Sequence, residues 1–341
     1  MGCRAAGPGS TVLGMGTFEG WPAWVEARPI EKPDAEAWAG LLADVQKVDQ
    51  DGENFSVEDL LEELDDPLVN AASDTIGLWT DGVMVGYGLV RWRTHVIDVH
   101  RLNTDAAVRP AWRRRGLGSA LISWMTGRAG ELHLEHHPDV DAELNAGTIS
   151  TNEGARTLLT SLGFEECRYF FEMKRPFDSP IPAVEASAGL RVVTFDPSYD
   201  EALRLTHNDV FLDHWGSTPK DEDTWKVWFT GSRAFRGDLT FLVLDGERIV
   251  AYAIGYEYEA DTAATGIREV YIGQVGTVRS HRGRGLAAVA ISAQMREAER
   301  TGYKRASLGV DAENPTGALG LYERLGFEQD KTSITYRRPL T

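Results

Sequence analysis

Apolar residues recur at helical spacing in two stretches of the chain, one in each half. Both stretches have apolar residues at positions i, i+3, i+4 and i+7, which form one buried stripe of an amphipathic helix. These positions are Leu117, Ala120, Leu121 and Trp124 in the first half, and Leu286, Val289, Ala290 and Ala293 in the second. The pattern therefore predicts two equivalent helices.

Short apolar runs predict the strands around these helices. In the second half the predicted strands are Leu190–Phe195, Leu239–Leu244, Arg248–Glu257, Glu269–Val278, Arg305–Val310 and Ser333–Arg338, with a helix over Pro315–Leu325. In the first half they include Thr75–Trp79 and Met84–Trp92. Asp81-Gly82 and Asp245-Gly246 are typical of tight hairpins. Hairpins followed by a strand–turn–helix unit predict an α/β fold of the α+β kind, with a mixed sheet.

The glycine-rich turn before each predicted helix is repeated in the sequence. Val108–Gly118 and Thr277–Ala287 share the pattern Arg-x-x-Gly-x-(Gly or Ala). Downstream, each half closes with the same block, Leu162-Gly163-Phe164 and then Leu325-Gly326-Phe327. The spacing of these blocks is the size of one domain. The sequence thus predicts two tandem copies of one domain, as a pseudo-twofold repeat.

Composition places the boundaries of the two copies. Residues 1–20 are rich in glycine and small residues and lack the layout of a secretory signal, so we predict a disordered leader. Prolines and small residues predict a linker over 179–189. The first domain then spans 21–178 and the second 190–341.

Charge and cysteine content exclude several classes of protein. The formal net charge of −17 argues against nucleic acid as a partner and mildly favours a cationic amine substrate. No apolar run is long enough to cross a membrane. Cys3 and Cys167 give neither a disulfide framework nor a metal-ligand pattern, so a cytoplasmic protein without metal is expected. We interpret His133, His136 and His137 as part of a polar strand and loop.

The repeated turn suits a phosphate. A strand that ends in a glycine-rich turn and opens a helix gathers free backbone N–H groups at the positive end of the helix dipole. Glycines allow close approach to an anion, and the arginines add charge-assisted contacts. The sequence contains no P-loop, and Gly283–Ala288 has only the first two glycines of a dinucleotide fingerprint. A solvated basic turn is the alternative, which the duplication makes less favourable.

These motifs resemble those of the GNAT superfamily of N-acetyltransferases, over nearly the whole chain and twice. The matching residues are Val108, Pro110, Arg113, Gly116 and Gly118 in the first half, and Asn314, Ala318, Tyr322, Gly326 and Phe327 in the second. The tandem arrangement is similar to that of the mycothiol synthases and their relatives. The resemblance implies an acetyl-CoA or other acyl-CoA donor, with its pyrophosphate in the turn and its pantetheine arm along the preceding strand.

The resemblance assigns the cofactor contacts residue by residue. In the second half they are Val275, Gly276, Thr277, Arg282, Gly283, Arg284, Gly285, Leu286, Ala287 and Asn314. In the first half they are Ala106, Ala107, Val108, Arg113, Arg114, Arg115, Gly116, Leu117 and Gly118. Thr277 and Arg279 differ from the Val and Pro that the family often has at these positions. The backbone N–H that would stabilise the oxyanion could therefore be that of Val275 or that of Thr277.

Direct acyl transfer needs a neutral amine, an oxyanion donor and a proton for the leaving thiolate. Tyr322 lies about two helical turns after Asn314, so we predict it as the acid. Glu269 is the first choice for the base, because family members often carry a carboxylate there. A solvated carboxylate at a strand end is the alternative for Glu269. Glu257 is the second choice for the base and a candidate substrate residue.

The remaining predictions concern the acceptor and the first half. His214 and Trp215 are candidates for holding the substrate, a capped helix end being the alternative. Leu159 replaces Tyr322 in the first half, so we expect one active site. The first half either binds its own acyl-CoA, giving one per domain, or is a degenerate copy that completes the acceptor cleft.

Three functions fit these residues. The leading one is acyl transfer from acyl-CoA to a small-molecule amine in a ternary complex. The second uses the phosphopantetheine thioester of an acyl carrier protein as donor. The third is a non-catalytic acyl-CoA sensor or scaffold. A monomer and a homodimer are both compatible with two fused copies.

Overall fold

The computed structural model describes residues 20–212, 214, 216–313 and 317–340. All but the last residue of the predicted leader lies outside this part. Within the described residues, twelve strands form one sheet in the order β1-β2-β3-β4-β5-β12-β6-β11-β10-β9-β8-β7. The order is symmetric about the β12–β6 pair, as a pseudo-twofold repeat requires. The predicted α/β fold with a mixed sheet is confirmed.

The strands and helices follow the predicted order in both halves. The strands are β1 Glu26–Arg28, β2 Thr75–Thr80, β3 Val83–Arg91, β4 Val99–Val108, β5 Asp141–Ile149, β6 Glu165–Pro176, β7 Leu190–Thr194, β8 Phe235–Asp245, β9 Arg248–Tyr256, β10 Glu269–Thr277, β11 Arg305–Asp311 and β12 Glu328–Leu340. The helices are α1 Ala35–Asp49, α2 Val57–Leu64, α3 Ala71–Asp74, α4 Leu117–His136, α5 Glu153–Ser161, α6 Asp200–Val210, α7 Glu222–Trp225, α8 Glu259–Thr265, α9 Leu286–Arg300 and α10 Ala318–Arg324.

The two halves exchange their last strands. β12, from the second half, pairs antiparallel with β5 of the first half from Ser333↔Ile149 to Leu340↔Ala142. β6, from the first half, pairs antiparallel with β11 of the second half from Arg305↔Pro176 onwards. β12 and β6 also pair with each other. Cutting the chain at the predicted linker would therefore leave each half without a strand of its own sheet.

Apolar side chains on both faces of the first half's part of the sheet are buried under helices. Leu78 and Val85 lie in one core with α4 and α5, whereas Trp79 and Met84 lie in another with α1 and α2. Successive strand residues point to opposite faces of a sheet, so these helices cover the two faces. In the second half α6 contacts β9 and β10, and α9 contacts β8, β9 and β10.

Two local predictions, the second hairpin turn and the place of the histidines, differ from the structure. The first hairpin turns at Asp81-Gly82, as predicted, but Asp245 pairs with Arg248, so the second turns at Gly246-Glu247. His133 and His136 lie in the last turns of α4 and not on a strand or loop. The predicted linker packs on α9, where Val184 donates its N–H to Ser292 Oγ at 3.3 Å.

Candidate active site

The site forms where two parallel strands of the second half separate. β10 and β11 pair only from Glu269↔Arg305 to Tyr271↔Ser307. Beyond Tyr271, the edge of β10 that faces β11 has no ladder partner, up to Thr277. Unpaired backbone N–H and C=O groups along such an edge can pair with an extended amide chain. The predicted contacts Val275, Gly276 and Thr277 lie on this separated segment.

The first half has a shorter version of the same groove. β4 and β5 pair from Val99↔Asp141 to Thr104↔Ala146, which leaves only residues 105–108 of β4 separated. The predicted contacts Ala106, Ala107 and Val108 lie there. A shorter opening offers less backbone to a cofactor arm.

A β-bulge distinguishes β10 from β4. The register between β10 and β9 shifts between Ile272 and Gln274, whereas β4 pairs with β3 without a shift. Glycines are required here: a Cβ on Gly273 would lie 2.5 Å from the ring of Tyr256, and one on Gly276 would lie 2.5 Å from the ring of Tyr252. Bulges bend a strand and re-aim its groups, and they are frequent next to active sites. The bulge is therefore a feature of the second half's groove.

The two glycine-rich turns have the same backbone. Arg113 Nε donates to Val108 O at 3.0 Å, and Arg282 Nε donates to Thr277 O at 3.3 Å. Gly116 has φ +86° and Gly285 has φ +73°, and nothing lies within 4 Å of a Cβ added at either. Both turns therefore leave open space at the start of a helix, where an anion is favoured.

The remaining turn residues are placed as follows. Leu117 and Leu286 are buried in the core, so only their backbone can face a cofactor. Gly283 has φ +75° and Arg114 has φ +63°. Arg115 stacks over the Trp112 ring at 4.7 Å. Arg284, Ala287 and Gly118 lie on the turn or in the first helical turn.

The turn arginines differ in their partners. Arg113 is held by Asp49 through two hydrogen bonds of 2.6 and 2.8 Å. Arg282 reaches only backbone carbonyl groups, those of Thr277 and Val210, among the described residues. A bidentate carboxylate occupies the directions in which an arginine would bind phosphate. The second half thus has an available arginine where the first half has a neutralised one.

Tyr322 and Leu159 occupy equivalent places. Phe327 N–H donates to Tyr322 O at 3.0 Å, and Phe164 N–H donates to Leu159 O at 3.1 Å. Both side chains are buried, and the Tyr322 ring meets the Phe327 ring at a centroid distance of 6.1 Å. Burial, together with the nearby Tyr271, raises the pKa of Tyr322 to about 12. The phenol therefore stays protonated at neutral pH and can donate to a departing sulfur, whereas a leucine cannot.

Both predicted bases are engaged with neighbouring side chains. Arg305 Nε and Ser307 Oγ donate to the two carboxylate oxygens of Glu269. This geometry gives no support to Glu269 as a free base, so that role stays a prediction.

Glu257 is the centre of a buried ion pair. Arg268 Nε donates to it at 2.7 Å, Tyr303 Oη at 2.6 Å and Arg236 Nε at 3.1 Å. Burial alone would raise the pKa of Glu257, but these hydrogen bonds bring it to about 2. A carboxylate held in this way fits a structural role. The geometry does not favour Glu257 as a substrate residue or base.

His214 lines a cavity between the halves. The cavity has a volume of about 220 Å³ and includes Arg93, His95, His100 and Arg101 of the first half. Burial lowers the pKa of His214. Glu257 does not line this cavity, so the structure does not bring these two predicted substrate residues together. Trp215 and Asn314 lie outside the described residues.

Five carboxylates gather where the α1–α2 loop meets α8 of the second half, in a region that we call the acidic cleft, and no sequence prediction located them. Its carboxylates are Asp51, Glu53, Asp105, Glu172 and Asp261, and Tyr258 and Tyr271 lie beside them. These residues come from both halves and are brought together by the exchanged strands and the α1–α2 loop. The only sequence signal was the net negative charge, which does not locate them.

Two kinds of feature are absent from the part of the chain that the structure describes, a metal site and a membrane-spanning helix. No group of three or more His, Cys, Asp or Glu residues there has the geometry of a metal site. None of the helices in that part is both long and apolar enough to cross a bilayer.

Comparison with known proteins supports two copies of one catalytic domain. The Acetyltransferase (GNAT) family matches residues 38–164 and again residues 201–327. A mycothiol acetyltransferase of Thermobispora bispora is 29% identical over 241 residues, which cover 69% of this chain and 75% of the relative. One from Streptomyces avermitilis is 30% identical over 240 residues, covering 68% and 70%.

Solved structures agree with the fold. A GCN5-related N-acetyltransferase from Sphaerobacter thermophilus superposes with a TM-score of 0.75 at 26% identity, covering 94% of this chain and 96% of that one. A tandem GNAT protein from the clavulanic acid biosynthesis pathway gives 0.68 at 18% identity, covering 93% and 99%. This chain belongs to the GNAT acetyltransferase family and is a tandem N-acetyltransferase with two copies of the family's domain.

Proposed function

We propose that this acetyltransferase moves an acetyl group from acetyl-CoA to the amine of a small molecule, in a single active site of the second half. The observation that carries the proposal is a combination found only there. The separated and bulged β10, the available Arg282 and the phenol of Tyr322 all belong to the second half. The first half lacks the bulge, pairs its arginine with Asp49 and has Leu159 in place of the phenol.

The donor would lie along the second half's groove. Its pyrophosphate would meet the N–H groups of the turn at Gly283–Leu286 and the charge of Arg282. Its pantetheine arm would pair with the free edge of β10. An N–H of that edge would stabilise the oxyanion, and Tyr322 would donate to the sulfur as charge develops on it.

The acceptor would occupy the acidic cleft. A cluster of carboxylates draws a cationic amine and raises its local concentration. Mycothiol acetyltransferases, by their name, acetylate a small molecule, and their similarity to this chain supports a small acceptor. Which amine fits is set by the loops around the cleft, and fold does not fix substrate.

A thiol-release assay with acetyl-CoA across a panel of small amines tests the proposal. Release that depends on both acetyl-CoA and an amine, with an acetylated product seen by mass spectrometry, is the expected result. Thiol release from a loaded acyl carrier protein, but not from acetyl-CoA, would identify the carrier protein as the donor. Binding of acetyl-CoA without transfer to any amine would contradict the catalytic proposal.

Alanine substitution of the two turn arginines should have unequal effects on the donor. Arg282→Ala removes a charge-assisted contact to phosphate, so we expect KM for acetyl-CoA to rise about tenfold, in line with about 1.4 kcal/mol. Arg113→Ala should leave that KM within about twofold and instead lower the free energy of unfolding by about 1–3 kcal/mol, because Asp49 loses its ion-pair partner and keeps only the hydrogen bond from Asn152. Steady-state kinetics and urea unfolding measure the two effects. An equal rise of KM in both variants would contradict a donor site confined to the second half.

A further inference from the structure

The loop between α1 and α2 carries the first half's side chains to the second half. Asn54 donates to Asp261 of α8 twice, from its backbone N–H at 3.0 Å and from Nδ2 at 2.9 Å. On the other side of the loop, Ser56 and Asp59 form a reciprocal cap on α2, with Asp59 N–H donating to Ser56 Oγ at 3.1 Å. Glu53 lies between these two anchors. The loop therefore holds Glu53 at the interface of the halves.

The carboxylate of Glu53 has no side-chain partner among the described residues, unlike those of Glu172, Asp261 and Asp105. Glu172 is paired with Lys174 at 3.0 Å, Asp261 accepts from Asn54, and Asp105 is paired with Arg91. Glu53 uses only its backbone N–H, which donates to Asp51 Oδ1 at 3.1 Å. It is also open to the solvent of the cleft, where a substrate would enter.

Tyr271 connects Glu53 with the acyl-transfer groove. It is the last residue of β10 that pairs with β11 before the strands separate. Its hydroxyl would lie 3.3 Å from a Cβ added at Gly309, so its ring reaches across the start of the groove. On the same face of the sheet Glu172 pairs with Gly309, and a Cβ added at Gly52, the residue before Glu53, would lie 3.9 Å from Glu172 Oε2. The loop that carries Glu53 therefore lies on the face of the sheet that Tyr271 covers.

We propose that Glu53, supplied by the first half, is the general base for acetyl transfer in the second half. The inference rests on the proposed function and replaces Glu269, whose two oxygens are already engaged. The ammonium of the acceptor gives a proton to the Glu53 carboxylate, and the neutral nitrogen attacks the thioester carbonyl. A C–N bond forms and the C–S bond breaks. The departing sulfur takes the proton of Tyr322, the second proton of the acylated nitrogen restores the Tyr322 phenol, and Glu53 releases its proton to solvent.

The surroundings of Glu53 set its pH range. Desolvation by the walls of the cleft, followed by the charges of Asp51, Asp105, Asp261 and Glu172, raises the pKa of Glu53 to about 7. The charged and titratable groups that face the cleft from the packed elements also include Asp49, Asp59, Glu63, Tyr87, Arg91, Lys174, Tyr258, Glu269, Tyr271 and Lys331. A base with this pKa is half ionised near neutral pH, where general bases are most effective.

The test compares pH profiles of Glu53→Gln and Asp51→Asn in the full chain. For the wild type, kcat/KM should rise with pH up to about 7, as Glu53 ionises. Glu53→Gln should lower kcat/KM about 10²–10³-fold and abolish this rise, the acid limb of the pH profile, while the Kd for acetyl-CoA and the Tm are retained. Asp51→Asn removes a like charge, so the limb should move to lower pH. Glu58→Gln, an exposed carboxylate on α2, is the matched control and should match the wild type.

The outcomes separate this inference from the function on which it rests. Glu53→Gln with a rate within about twofold of the wild type, or with its acid limb intact, would overturn the role of Glu53 and leave the proposed function standing. Loss of the acid limb in Glu269→Gln, with the limb kept in Glu53→Gln, would also overturn the role of Glu53. A wild type that acetylates no amine would overturn the proposed function and this inference together.

Discussion

Replacing Tyr322 with Phe should lower kcat about 10²–10³-fold and leave the Kd for acetyl-CoA nearly unchanged. The substitution removes one hydroxyl and keeps the ring that packs on Phe327. Burial holds the pKa of this phenol at about 12, so the hydroxyl is protonated throughout the neutral range and can donate to sulfur in every turnover. Rapid-mixing kinetics of thiol release and calorimetric titration of acetyl-CoA would measure the two quantities.

Tyr303→Phe is the matched control for this experiment. It removes a hydroxyl from another buried tyrosine of the same half, one that donates to Glu257 at 2.6 Å. We expect it to lower the free energy of unfolding by about 1–2 kcal/mol without changing kcat. A Tyr322→Phe enzyme that kept its turnover would exclude Tyr322 as the proton donor.

The sequence predicts the fold of each half well because its signals are local. Apolar periodicity and turn residues act over a few positions, and they placed β10 and β11 within one residue of their observed ends. The equivalence of Tyr322 and Leu159 also followed from spacing alone, and the same backbone hydrogen bond in both halves supports it.

Strand exchange could not be predicted in this way. β6 and β12 each follow an equivalent helix and the same Leu-Gly-Phe block, so the residue pattern of either strand fits β5 and β11 equally well as a partner. Pairing of β6 with β11 or with β5 differs only in which copy supplies the partner. Such a choice is made by tertiary packing and by the short path to the next element, neither of which has a sequence period.

The acidic cleft was missed for a related reason. Glu53 and Asp261 are 208 residues apart in the chain, and neither lies in a motif. Their proximity follows from the contact between the α1–α2 loop and α8, which one sequence does not reveal. The carboxylates that the motifs favoured, Glu269 and Glu257, are those the fold ties to arginines. Pattern therefore predicted the residues of the separated β10 segment, which lie close together in one half, and did not predict a group of carboxylates that both halves supply.

Replacing Tyr336 with Ala should destabilise the first half although the residue belongs to the second. Tyr336 is fully buried in the core of α4 and β5, and its hydroxyl donates to Glu166 at 2.7 Å. Removing a large buried aromatic side chain lowers the free energy of unfolding by about 3–5 kcal/mol.

Urea unfolding and hydrogen exchange would measure the loss and its location. Tyr336→Phe, which keeps the ring, should lose only about 1 kcal/mol. In Tyr336→Ala, amide protection should fall along β5, because β12 is the strand that covers its edge. Protection lost only in β10 and β11 would contradict the exchange of strands. Loss in β5 would mean that the two copies fold as one cooperative sheet, so that the degenerate half is retained because the active half cannot be built without it.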